Sequence, residues 1–173
     1  STYITDDYDI DEVVISDLQP DSTDNTWGGF RFGIGGTIQS ASTDYVYTVY
    51  QIGRHEAAVS TSSSWGAWAD SDSNTMITNT NNNQAGLGTG AGELFNGHFR
   101  FYNLRSTVQE KHMTHIDASW TSHSGYTYTT RKGLCTGRLV GNESNKVDTI
   151  QYLLYNGDIK AGAKIACYGY NKI

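Results

Sequence analysis

Residues 147–173, VDTIQYLLYNGDIKAGAKIACYGYNKI, constrain the fold more than any other stretch. Ile150, Tyr152 and Leu154 recur at the two-residue period of a half-buried strand, and residues 164–169 form a second extended run. Between them Asn156-Gly157-Asp158 supplies a chain reversal, because Asn-Gly reaches positive φ at little steric cost. These signals predict a terminal β-hairpin. A lone hairpin is marginal in water, so both strands must belong to a larger sheet built by the residues upstream.

The upstream residues carry the same signal. Residues 12–18 read as a first strand, stopped by Gln19-Pro20-Asp21. In Phe30-Arg31-Phe32-Gly33-Ile34 the apolar residues alternate with Arg and Gly, as in a strand with one buried face. Tyr45-Val46-Tyr47-Thr48-Val49-Tyr50 is apolar on both faces, which predicts a central strand. Residues 98–103 form a strand with Phe99 and Phe101 on one face. One short helical turn is expected over 104–111, then strands at 113–120, 126–132 and 134–140. The low-complexity middle, residues 60–92, cannot fill a core alone, so short strands near 65–68 and 75–78 are expected between long exposed loops.

Proline occurs once, at Pro20, while 19 glycines and many Thr, Tyr, Asn and Ser residues suit pleated surfaces and the turns between them. At 173 residues the chain has the length of one domain. The expectation is an all-β fold: a two-sheet antiparallel β-sandwich, jelly-roll-like, over residues 13–173, preceded by an acidic N-terminal arm over residues 1–12.

Charge is unevenly placed. Residues 1–24 hold eight acids and no Lys or Arg, so they carry −8, while the remainder, with 12 basic and 10 acidic residues, carries +2. Tyr3, Ile4, Tyr8 and Ile10 alternate with Asp6, Asp7, Asp9 and Asp11, so these eight residues are the candidate partner-binding set. The apolar ones would anchor and the acids would set register against a basic surface. No run approaches the roughly 20 apolar residues of a membrane span, so a soluble protein is expected.

No constellation selects a reaction. His112-x-x-His115, with His123 nearby, has zinc-like residue types, yet residues three apart on a strand face opposite ways. Asp70-x-Asp72-x-Asn74 begins like a calcium loop, but Thr75 stands at the sixth position and Asn81 at the twelfth, where Gly and Glu are needed. The glycine runs at 33–36 and 86–92 lack a following helix or Lys for a phosphate, and no Gly-x-Ser-x-Gly elbow occurs. No catalytic residue, metal or cofactor is assigned. Trp65 and Trp68 are candidate loop contacts, since aromatic side chains serve cores and interfaces alike. The size of the domain favours two buried thiols at Cys135 and Cys167 over a bridge.

The order Ile150-x-Tyr152-Leu153, Asn156-Gly157, Ile159, Gly162-Ala163-x-Ile165 and Tyr168-Gly169 resembles the C-terminal signature of small phage virion proteins. Those proteins have a jelly-roll-like sandwich ending in a Leu-Tyr-Gly strand; here Cys167-Tyr168-Gly169 takes its place, and residues 170–173 extend past it. The resemblance implies a non-enzymatic virion structural protein: a capsid decoration or cement protein that stabilises the head. It would be a homotrimer bound to the major capsid protein or other virion subunits, without nucleic acid or membrane. A tail-fibre or receptor-binding adhesin of the same fold, or a carbohydrate-binding module, are the alternatives.

Overall fold

The computed structural model describes residues 2–4, 8–23, 26–55, 62–73, 75–77, 86–124, 127–142 and 144–171. They form two antiparallel sheets. In the larger, β2 (Tyr8–Leu18), β5 (Tyr45–His55), β6 (Ser62–Ser73), β8 (Phe95–Tyr102), β9 (His112–Ser124), β10 (Thr127–Leu139) and β12 (Lys164–Asn171) lie in the order β12-β2-β8-β9-β10-β5-β6. In the smaller, β1 (Thr2–Tyr3), β11 (Thr149–Leu154), β3 (Gly28–Ile34) and β4 (Thr37–Ile38) lie side by side, and β7 (Met76–Ile77) also pairs with β3. The expected two-sheet sandwich is what the chain builds.

Alternation explains which sheet face is inside. Along β8, Phe95, Gly97, Phe99 and Phe101 are buried, whereas Asn96, His98, Arg100 and Tyr102 face outward. The two sheets meet through aromatic rings. Phe30 of β3 packs edge-on against Phe99 at 4.8 Å and Phe101 at 5.1 Å, both from the opposite sheet. Tyr45 is fully buried, and its hydroxyl accepts the Phe32 N–H at 2.7 Å while donating to the Gln39 carbonyl at 3.0 Å. A polar tip is thereby satisfied between two sheets.

The terminal hairpin does not form. β11 pairs with β1 and β3 in the smaller sheet, whereas β12 pairs with β2 in the larger. The reversal at Asn156-Gly157-Asp158 is present, with Gly157 at φ 82°, but it turns the chain from one sheet to the other. It does so beside the β2–β3 crossing: Asp21 donates to the Asp158 carbonyl at 2.8 Å, Lys160 donates to the Gln19 carbonyl at 2.8 Å, and Pro20 bridges Ile159. The pairings β2–β12 and β3–β11 are thus nested and divided between the sheets, the jelly-roll-like part of the fold. The β8-β9-β10 meander and the β5–β6 hairpin widen the larger sheet.

Three further expectations change. Residues 104–111 form turns and bends instead of a helical turn. Asn103 takes a left-handed φ of 61°, and the Ser106 hydroxyl accepts the amides of Val108 and Gln109, which competes with a helical ladder. The strands expected at 126–132 and 134–140 are one, β10, because Gly133 stays buried in register with Ala118. In the low-complexity middle, Ser62–Ser73 is a long strand paired with β5.

The arm boundary also moves. Residues 8–12 are part of β2, an interior strand between β12 and β8, and β1 pairs with β11. Acidic residues survive inside this sheet where they have partners: Glu12 meets His98, Arg100 and Tyr170, and Asp11 lies within the field of Arg105.

Candidate functional site

The C-terminal edge of the larger sheet gathers an apolar and aromatic surface. Among the described residues, β12 has one strand partner, β2, paired Lys164↔Ser16 through Tyr170↔Ile10. Of the eight large apolar side chains exposed among those whose burial is described, Tyr155, Ile159, Ile165, Tyr168 and Tyr170 fall on β12 or the turn before it. Tyr155 also stacks on Trp27, ring centres 4.5 Å apart.

On the outer face a polar cluster holds this edge in place. Glu12 lies in β2 and is only 3% exposed. One carboxylate oxygen meets His98 Nε2 at 2.8 Å and the Tyr170 hydroxyl at 2.9 Å; the other accepts Arg100 Nε at 2.8 Å and also Nη2. The Arg100 guanidinium lies 5.9 Å from the centre of the Tyr170 ring. Three adjacent strands, β12, β2 and β8, are therefore tied at one carboxylate. Burial opposes ionisation of Glu12, but the bonds from His98, Arg100 and Tyr170 outweigh it and hold the carboxyl below its ordinary value. The same contact raises the Tyr170 phenol. With its acceptor positions filled, Glu12 serves as an anchor and not as a base for a substrate.

On the inner face, Ile165 and Cys167 line an open groove of about 460 Å³ between the sheets, with Val13, Phe30, Ile150, Gln151 and Tyr152. The groove exists because β11 and β12 diverge into different sheets. No disulfide joins the two cysteines: Cys135 is buried in β10 and Cys167 is exposed on β12, so the expectation of two buried thiols holds for Cys135 alone. Burial pushes the Cys135 thiol far above its ordinary value.

The candidate arm residues are dispersed. Ile4, expected as an anchor for a partner, is 8% exposed and belongs to the chain's own core. Tyr3 lies in β1 opposite Thr149, and Asp6 and Asp7 fall outside the described residues. Tyr8 is half-buried, and its ring occupies the space where a side chain at position 169 would stand, which is why Gly169 suits that position. Asp9 lies in β2. Ile10 is half-buried beside Tyr102 and Tyr170. Asp11 is half-buried; loss of water raises its pKa to about 6, and Arg105 offsets part of that rise. Trp65 and Trp68 lie in β6 opposite Gln51 and Thr48.

The histidine pair does not converge. His112 stands near Glu110, 3.5 Å away, whereas His115 is buried and stacks on Phe99 with ring centres 4.8 Å apart. Among the described residues neither His115 ring nitrogen has a hydrogen-bond partner, and burial lowers its pKa, with Asp117 opposing that shift. Asp70 and Asp72 lie within β6, and Asn74 is outside the described residues. Among the described residues no group of three His, Cys, Asp or Glu side chains is placed to hold a metal ion.

Sequence reasoning missed the Glu12 cluster. Part of the signal is present: His98 and Arg100 alternate with Phe99 and Phe101, and Glu12 precedes the core residue Val13, so each lies on an outer face. Without knowing that β12, β2 and β8 are neighbours, nothing joins them. No family model, curated protein sequence or solved structure matches the chain.

Proposed function

We propose that this protein is a phage virion structural protein, a decoration or cement protein that stabilises the head through surface contact and without catalysis. One observation carries the reading: among the side chains whose exposure is described, the exposed apolar and aromatic ones are concentrated on the edge strand β12 and its preceding turn, and the Glu12 cluster ties that strand to β2 and β8. An uncovered edge bearing Ile165, Tyr168 and Tyr170 suits a protein whose working state is bound to others, because edge strands in monomers are commonly blunted by charge, bulges or proline. The C-terminal resemblance supplies the virion context.

A second reading, a glycan-binding adhesin of the same fold, is favoured by the exposed Tyr155 ring stacked on Trp27. Copy number separates the two. A decoration protein is present in hundreds of copies per purified particle and an adhesin in a few, so quantifying the protein band against the major capsid protein decides. A few copies per particle together with binding on a glycan array would overturn the decoration reading.

A further inference from the structure

We propose that two copies of this chain pair through β12, antiparallel about a two-fold axis at Cys167, so that the two seven-stranded sheets continue as one. This deepens the virion reading by naming a second copy as the partner of β12. It is tested on the isolated protein, so its failure stands apart from that of the particle measurement.

The edges of the two sheets differ. Two-residue strands, β1 and β4, bound the smaller sheet, which leaves little backbone to pair with. The larger sheet ends on β6 and on β12; β12 is eight residues long, with no proline, and its register irregularity falls only at the far end, between Tyr170 and Asn171. Its one charged residue, Lys164, stands at the start of the strand and is 3.7 Å from Asp17 of its own chain. The usual protections of an edge are therefore lacking along its middle.

The strand is also complementary to itself. About Cys167, an antiparallel copy places Ile165 opposite Gly169, Ala166 opposite Tyr168, and Lys164 opposite Tyr170. Tyr168 meets the small Ala166, Ile165 meets the Tyr8 ring that lies over Gly169, and at Lys164 an ammonium 78% exposed in the free chain approaches an exposed phenol ring. Directly opposed residues have Cβ atoms only about 4.5–5.5 Å apart, so these pairs come into side-chain contact. Paired residues share a sheet face, so both cores stay on the same side. Ile165, Tyr168 and Tyr170 are each about half exposed before pairing, 47%, 55% and 48%. Covering them in both copies buries less than the roughly 1,200 Å² of a stable specific interface, which places the contact among weak, exchanging ones. A dimer of micromolar rather than nanomolar affinity is expected.

The full chain is tested by sedimentation over a wide concentration range and by copper–phenanthroline oxidation, which joins thiols of neighbouring chains. The Cys135→Ser background leaves Cys167 as the only thiol. Monomer–dimer exchange is expected, with a Cys167–Cys167 product whose yield follows the dimer fraction. Ile165→Lys should weaken dimerisation and cross-linking about tenfold or more, while maleimide labelling of Cys167, circular dichroism and Tm stay as in the parent. Tyr168→Ala gives a milder version of the same result should the lysine variant misfold. The pairing is overturned by a chain that remains monomeric throughout. It is equally overturned by an oligomer, three-fold or built on β6, whose Cys167 thiols do not cross-link, or by cross-linking that persists undiminished in both variants.

Discussion

Replacing Glu12 by Gln keeps the shape of the side chain and removes its charge, which isolates the electrostatic part of the anchor. Hydrogen bonds to a charged group contribute about 1 kcal/mol more than neutral ones, and three partners, His98, Arg100 and Tyr170, converge here. That sets an upper value of about 3 kcal/mol. His98 and Arg100 side chains are 35% and 36% exposed, so water compensates them in part. A loss of about 2 kcal/mol near neutral pH follows, since the amide also turns a donor toward groups that are themselves donors.

The pH dependence follows from the direction of the shift. The folded-state pKa of Glu12 lies below its ordinary value of 4.5, so its contribution is full above that value and is lost as pH falls through the folded pKa. Urea unfolding of both proteins, at neutral pH and in steps below the ordinary carboxylate range, should show midpoints that differ at neutrality and converge in acid, with unchanged slopes. An equal deficit at every pH, or a difference within about 0.5 kcal/mol at neutrality, would refute the reasoning.

Other outcomes follow from the same geometry. Asp11→Asn should stabilise by about 1 kcal/mol above pH 6 and have no effect below the ordinary Asp range, since the raised pKa means wild-type stability falls as pH rises through about 6; the full shift is discounted because the group is half exposed. Chemical denaturation at two pH values checks it. Phe30→Ala should cost about 3–5 kcal/mol, because the ring is fully buried against Phe99, Phe101 and Tyr152 from both sheets; the midpoint of thermal unfolding reports it. Truncation before Val147 removes the strand between β1 and β3 together with the strand covering β2. An aggregating or molten product is expected, and a cooperative melt with native-like circular dichroism would contradict it. In a thiol-labelling time course, Cys167 should react in the native state and Cys135 only after unfolding.

Much of this architecture follows from residue order alone. The alternation in residues 30–34 and 98–103 predicts strands and names their buried faces, because the pleat has period two whatever the neighbours are, and the two-faced run at 45–50 predicts an interior strand. Gly35-Gly36, at φ 58° and 77°, and Asn156-Gly157 mark reversals because few other residues reach those angles cheaply. What a local pattern does not contain is the identity of the strand alongside. The stretch after Val147 therefore reads as a hairpin, while the tertiary structure sends β11 and β12 into opposite sheets, held by the backbone of Gln19–Asp21 more than a hundred residues earlier in the chain. Likewise the acids at 9–12 look like a solvated arm until β12 and β8 flank them, and Ile4 looks like part of it until its amide meets the Asp148 carbonyl beside β11. The Glu12 anchor depends on residues 12, 98, 100 and 170 meeting on one outer face, and only the long-range register of three strands decides that.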